Sequence, residues 1–251
     1  MAAIDITVGS GQDAMESTNT GDSDSNNFDV AGIESPGGAG ANEHVAARFT
    51  GITIPAGATI TSAYVQWYVT TQTAMDVDIS FQDASAPVAF NGLVVYTDST
   101  SIVYRTYTST VVQWTGTMTG SAYNSSPSLV SIINELIASY TYSSGSMLCL
   151  LHSRSSNLCI VRGYLYGGAS YAAKLHIEYS TPSLEQEGYR FRNDDGNETG
   201  ASWAGNQDNG VTAPAGTNLR LRVLVNATGD KATTQYQLEY KKSIDSIWMK
   251  V

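Results

Sequence analysis

The chain has 251 residues, which is enough for one large β domain or two smaller ones with a buried core. Hydrophobic residues make up 42%, which excludes a disordered chain, and no apolar run approaches the ~18 residues that span a bilayer. The net charge is −10 and residues 1–47 contain no lysine or arginine, so we expect no nucleic-acid partner. Charged residues are only 14%, while tyrosine occurs 15 times, a balance that favours an extracellular or cell-surface β protein.

An alternating segment at the start of the chain predicts a strand with one apolar face. Ile4, Ile6 and Val8 alternate with polar residues, and a long polar stretch rich in Gly, Ser and Asn follows. We assign residues 1–10 as an N-terminal strand and residues 11–43 as an acidic tether that packs in part on the first domain. Because a tether of this length releases the strand from its sequence neighbours, we expect the strand to stand free of its own domain.

Strand-like alternation recurs over residues 44–179, with Gly and Pro residues between the segments. It is clearest over residues 60–70, where apolar and polar side chains alternate. Residues 126–139 interrupt the pattern, because a Ser-Pro pair that can begin a helix is followed by apolar residues at helical spacing. About eight or nine strands with one short helix are the profile of a jelly roll, which we assign to residues 44–181.

The two cysteines, Cys149 and Cys159, lie in segments that read as the two strands of a hairpin around residues 153–156. A register centred on Arg154 would place the cysteines directly opposite each other, at a spacing that a disulfide can bridge. We weigh a disulfide against two buried thiols, and the sequence leaves both open.

The last segment, residues 182–251, predicts a small immunoglobulin-like sandwich that is short of strands. It has four convincing strands in about 70 residues, whereas such a sandwich has about seven in about 100. An incomplete sandwich exposes an unpaired edge and an uncovered core. The residues predicted to form this core are Phe191, Leu219, Leu221, Val223, Val225, Leu238 and Trp248.

Four arginines alternate with these core residues, which predicts that they lie on the outer faces of the second domain. They are interpreted either as solvated charges or as a docking surface for the acidic tether of a neighbouring molecule. These residues are Arg190, Arg192, Arg220 and Arg222.

Catalytic motifs are missing from the sequence, and we predict that the protein is not an enzyme and requires no cofactor. The three histidines are scattered without metal-binding spacing, and there is no nucleophile elbow or phosphate loop. One candidate calcium site, weighed against a plain solvated loop, is formed by Asp22, Asp24 and Asp29 in the tether. Three N-glycosylation sequons, which matter only in a host that glycosylates, begin at Asn124, Asn197 and Asn226.

The run from Arg48 to Trp67, with its Ile-Pro-Ala-Gly-Ala turn, resembles the opening strands of a jelly-roll module of bacterial and phage surface proteins. Residues 173–179 resemble the closing strand of that module, which is similar to certain carbohydrate-binding modules. Residues 189–248 resemble an immunoglobulin-like module of the same kinds of protein. The whole chain also resembles fibril protomers that pair these two domains with a free N-terminal strand. That resemblance implies assembly by insertion of the strand into a neighbouring subunit.

Taken together, these features lead us to expect a structural subunit of an extracellular helical filament. The N-terminal strand, with Ile4, Ile6 and Val8 as pegs, would fill the groove in the second domain of the next copy. A head-to-tail contact that closes no ring gives a filament, so the partner is the chain itself. The competing interpretations are a carbohydrate-binding adhesion module, with glycans as partners, and a phage tail-fibre or decoration protein.

Overall fold

The computed structural model describes residues 1–18, 43–72, 74–90, 102, 105–154, 159–228, 237–241, 244 and 246–250. The chain divides into two compact units, Met1–Ser180 and Thr181–Val251. About half of the described residues lie in strands of antiparallel sheets, so the prediction of an all-β sandwich protein with one short helix is confirmed. No helix in the described part of the chain is long and apolar enough to cross a membrane.

The described residues of the first unit form nine strands and two α-helices. The strands are β1 (Ala2–Thr7), β2 (Ala14–Thr18), β3 (Glu43–Ile54), β4 (Thr59–Val69), β5 (Ala74–Phe81), β6 (Val112–Thr117), β7 (Ala122–Ser125), β8 (Tyr142–Ser153) and β9 (Lys174–Ser180), and the helices are α1 (Val130–Ser139) and α2 (Tyr164–Gly167). They form a four-stranded sheet in the order β1-β9-β4-β7 and a five-stranded sheet in the order β2-β3-β8-β5-β6.

The core of this unit lies between the two sheets. Along β4 the inward side chains Val65, Trp67 and Val69 are completely buried, whereas the residues between them are half-exposed. Phe49 from β3 and Ile79 from β5 belong to the same buried cluster. The period-2 alternation in the sequence therefore correctly predicted which side chains face the core. Burial of each large apolar side chain stabilises the unit by roughly 1.5–3 kcal/mol.

Helix α1 begins at Val130, three residues later than the start expected with Ser126 as its cap. Ser126 does not cap it, because the Ser126 hydroxyl accepts a hydrogen bond from the Val65 N–H (3.1 Å), and the Ser126 N–H donates to the Val65 carbonyl oxygen (2.9 Å). This exchange continues the pairing of β7 with β4 and delays the helix. The apolar residues predicted from helical spacing do face the core, with Ile132, Ile133 and Leu136 buried.

The predicted cysteine hairpin is wrong. Cys149 lies in β8 opposite Ala47 of β3 and Phe81 of β5, while the segment that contains Cys159 turns away to the end of β4. There the Thr70 N–H donates to the Ile160 carbonyl oxygen (3.1 Å). No disulfide joins the two cysteines, and both are buried. Burial raises the pKa of the Cys149 thiol well above its ordinary value, which makes it unreactive.

The second unit is built on a long antiparallel pair, β10 (Ser183–Asn193) and β11 (Leu219–Thr228), with a bulge in β10 between Gln186 and Gly188. A second, short pair is formed by β12 (Glu239–Tyr240) and β13 (Met249–Lys250). The described residues of this unit therefore form four strands, the number that the sequence predicted, although the last two strands have only two residues each.

Candidate functional site

Strand β1 is paired within its own unit. It runs antiparallel to β9, with Ile4 opposite Ile177 and Ile6 opposite Leu175, and the Val8 N–H donates to the Ala173 carbonyl oxygen (3.0 Å). The prediction that this strand stands free of its own domain is wrong. A tether separates a strand only from its sequence neighbours, and β9 is far away in sequence.

The apolar face of β1 points into the core of the first unit. Val8 is 1% exposed, and Ile4 and Ile6 are partly buried against the main cluster. Within the described residues β1 has one hydrogen-bonded neighbour, because it is the edge strand of its sheet. The strand is thus docked along a single edge.

Polar side chains reinforce this docking on the outer face of the sheet. Nδ1 of His176 in β9 lies 2.7 Å from a carboxylate oxygen of Asp5, and Nε2 lies 3.5 Å from Glu178. The imidazole ring stacks on Tyr64 of β4, with the ring centroids 4.7 Å apart. Sequence spacing could not predict this cluster, because three strands distant in sequence bring its residues together.

The second unit exposes a continuous apolar face. Along one side of β11, Leu221, Val223 and Val225 are 37%, 45% and 46% exposed, and Leu238 is 50% exposed. Of the other predicted core residues, Trp248 is 60% exposed, and Phe191 and Leu219 are half-buried. A groove of about 530 Å³ lies over this face and is lined by Leu184, Gln186, Val223, Val225, Gln237 and Leu238.

The arginines lie on the opposite face of β10 and β11, in the cross-strand pairs Arg190–Arg222 and Arg192–Arg220. Arg192 is only 5% exposed and donates to the carbonyl oxygens of Glu198 (2.6 Å), Thr199 (3.3 Å) and Ala201. The prediction of an accessible docking charge is therefore wrong for Arg192, which holds a loop of its own unit.

The other three arginines also have partners in the same unit. Arg190 donates to the Gly205 carbonyl oxygen (2.8 Å), Arg220 pairs with Asp194 (2.5 Å), and Arg222 pairs with Glu198 (2.5 Å). The ring of Trp203 lies under the guanidinium groups of Arg190 and Arg192, at 4.1 and 4.6 Å. The acidic residues that follow Arg192 in the sequence could have predicted this pairing within the unit. An acidic tether from a neighbour would compete with these contacts.

Two histidines face each other on the five-stranded sheet. His44 of β3 is opposite His152 of β8, with the ring centroids 4.3 Å apart, and neither ring nitrogen of His44 has a hydrogen-bond partner among the described residues. Burial, and secondarily the neighbouring His152, lowers the pKa of His44 to about 4. Burial also lowers the pKa of His152, so both imidazoles are neutral at physiological pH. Among the residues that the structure describes, no group of three His, Cys, Asp or Glu side chains is arranged to hold a metal ion.

The candidate calcium ligands Asp22, Asp24 and Asp29 lie outside the described residues. The sequon asparagines all use their side chains in internal hydrogen bonds. Asn124 donates to the Thr119 carbonyl oxygen (2.9 Å), Asn197 accepts from the Gly200 N–H (2.6 Å), and Asn226 donates to Glu187 (2.9 Å).

No protein-family model matches this chain, and no curated protein sequence matches it. The function therefore has to be inferred from the geometry of the two units.

Proposed function

We propose that this chain is a structural subunit of an extracellular filament that assembles head-to-tail. Strand β1 of one copy inserts beside β11 in the second unit of the next copy. The observation that carries the proposal is the exposed apolar row Leu221, Val223 and Val225, of which Val223 and Val225 line the groove of about 530 Å³. A contiguous exposed apolar surface commonly marks an interaction site.

Covering this face supplies the driving force. Leu221, Val223, Val225 and Leu238 are 37–50% exposed, and complete burial of such a side chain contributes about 1.5–3 kcal/mol. Covering the four of them would contribute on the order of 3–5 kcal/mol. Main-chain hydrogen bonds to an inserted strand would add to this, because within the described residues β11 has a neighbour on one side only.

The occupant must be an extended segment with apolar side chains at every second position. Ile4, Ile6 and Val8 have this spacing, which matches the spacing of the row on β11. An inserted strand in register would place branched apolar side chains opposite one another, the arrangement that stabilises neighbouring strands.

The donor strand and the acceptor face belong to different units of the chain. The same surface cannot therefore serve both partners, and the contact is head-to-tail. Contacts of this kind extend into a filament unless the rotation between subunits closes a ring.

The proposal is tested with two substitutions on the same strand. Val223→Asp places a charge in the acceptor row, whereas Leu224→Asp places the same charge on the opposite face of β11, at a side chain that is 51% exposed. We expect the first variant to stay monomeric and the second to form filaments, as measured by sedimentation velocity and negative-stain microscopy. Normal filaments from Val223→Asp protein would contradict the proposal.

A second candidate function, glycan binding, has one observation in its favour. Tyr68, Tyr123, Tyr171 and Tyr166 form a chain of ring contacts at one end of the four-stranded sheet, with centroids 4.7–5.5 Å apart. Aromatic rings with polar neighbours are common in ligand sites. Against this, Lys174 and Arg162 already lie over the rings of Tyr123 and Tyr166.

A glycan array probed with the monomeric Val223→Asp variant tests this candidate. A specific signal that Tyr166→Ala removes would support it, and an array without a signal would contradict it.

A further inference from the structure

The strand proposed as donor already fills a site in its own unit. Six consecutive residues of β1, Ala2 to Thr7, pair with β9, and Val8 beyond them is 1% exposed. One strand cannot occupy this site and a neighbour's groove at the same time. The apolar side chains of the strand would also gain little additional burial by moving, since Val8 is already buried and Ile4 and Ile6 are partly buried.

We infer that the docking of β1 on β9 is an autoinhibitory contact that keeps the subunit monomeric until the strand is released. The inference rests on the proposed function, and it adds the regulation of assembly. Transfer of β1 gains free energy because it covers the acceptor face of the neighbour. It loses the free energy of pairing with the edge of β9. The rate of assembly therefore depends on how strongly β9 retains the strand.

The contact between Asp5 and His176 contributes to this hold. His176 belongs to β9 and stays with the first unit when β1 leaves, so a substitution there changes the docked state and not the transferred strand. The contact is short, at 2.7 Å, but the Asp5 carboxylate is exposed to solvent. We therefore expect its contribution to the docking of β1 to be modest.

A cross-strand disulfide gives the most direct test of autoinhibition. Ala3 and Glu178 are directly opposite in the register, on the face turned away from the core, where two cysteines can be bridged. The native Cys149 and Cys159 are 0% and 1% exposed and should not interfere. We expect oxidised Ala3→Cys/Glu178→Cys protein to stay monomeric and the reduced protein to assemble like the single variants. Equal assembly of both forms would overturn the inference.

The side-chain contact is tested with His176→Phe, which keeps a ring for stacking on Tyr64 and loses the contact with Asp5. We expect the lag before assembly to shorten about two- to fivefold. The matched control is Lys174→Gln, since the Lys174 ammonium lies over Tyr123 and not on β1. An unchanged lag in His176→Phe would overturn the role assigned to this contact.

A synthetic peptide of residues 1–9 separates this inference from the proposed function. The peptide needs no release from β9, so we expect it to bind the oxidised, locked protein and to lose binding when Val223→Asp is added. Failure of the peptide to bind would overturn the proposed function itself. Normal assembly of the locked protein would overturn both autoinhibition and the role of β1 as donor. Peptide binding, a monomeric locked protein and reduced protein that assembles without a lag would together overturn only autoinhibition.

Discussion

The two units use the same strand pattern with opposite results. In β4 of the first unit, the inward residues Val65 and Trp67 are completely buried, whereas in β11 of the second unit Val223 and Val225 are 45% and 46% exposed. Both strands alternate apolar and polar side chains. The difference is that the inward side chains of β4 are packed into the core between two sheets, whereas the apolar row of β11 keeps 37–46% of its surface exposed.

Alternation therefore predicts a strand with an apolar face but not what covers that face. In the first unit the cover comes from strands of the same chain. In the second unit the exposed row is the reason to propose that the cover comes from another copy. Substitutions at buried and exposed positions test this difference between the two units.

The largest expected effect comes from matched leucines in the two units. Leu175 in β9 is 1% exposed and Leu221 in β11 is 37% exposed. We expect Leu175→Ala to lower the free energy of unfolding of the first unit by about 2–5 kcal/mol, because it leaves a cavity. Leu221→Ala should cost the second unit of the monomer less than about 1 kcal/mol. Hydrogen exchange in each unit, measured as a function of urea concentration, gives both free energies of unfolding. Equal losses in the two variants would contradict the difference in burial between the two units.

A pH effect of up to about 3 kcal/mol is expected from His44 in the first unit. The pKa of His44 is lowered by burial from 6.5 to about 4, so the unfolded chain binds a proton more readily between these values. Stability from this residue is therefore fully present above about pH 6.5 and is lost as the pH falls towards about 4. The groups that face His44 across the sheet are His152 and, beyond it, Asp78.

Thermal unfolding of His44→Leu protein between pH 7 and pH 4 checks this expectation. The variant fills the site with an apolar side chain and removes the titrating group. Its stability should therefore fall less steeply as the pH is lowered. A slope identical to that of the unmodified chain would show that His44 is not responsible.

A smaller effect is expected for the buried arginine of the second unit. Arg192→Met keeps most of the side-chain volume but leaves the carbonyl oxygens of Glu198, Thr199 and Ala201 without this donor, at a cost of roughly 1–3 kcal/mol. Hydrogen exchange of the amides in residues 194–208 should then speed up. Arg190→Met is the matched control, with a smaller effect because Arg190 is less buried. Equal exchange in both variants would contradict the role assigned to Arg192.

The sequence predicted the elements better than their partners. Period-2 alternation identified β4, β5, β9 and β11, and helical spacing identified the buried face of α1. These are local signals, because the inward side chains lie two, three or four residues apart. The sequence also predicted that the apolar residues of β11 would be left uncovered, from the shortage of strands in that unit.

Long-range pairing could not be predicted in the same way. Alternation in residues 4–8 does not state which edge the strand joins, so the pairing of β1 with β9 was missed. Symmetric spacing around Arg154 suggested a hairpin, but the two cysteine segments join different sheets. Arg192 was expected on a free surface because strand alternation does not reveal a loop that folds back over the outer face.

The central claim is that β1 of one copy fills the groove of the second unit in another. Mixing two assembly-deficient variants tests it most directly. A chain lacking residues 1–8 can only accept a strand, and a Val223→Asp chain can only donate one. Circular dichroism of each variant first checks that it is folded.

We predict that each variant alone stays monomeric in sedimentation velocity and that an equimolar mixture forms a one-to-one dimer that grows no further. No complex in the mixture, or polymers from either folded variant alone, would contradict the claim.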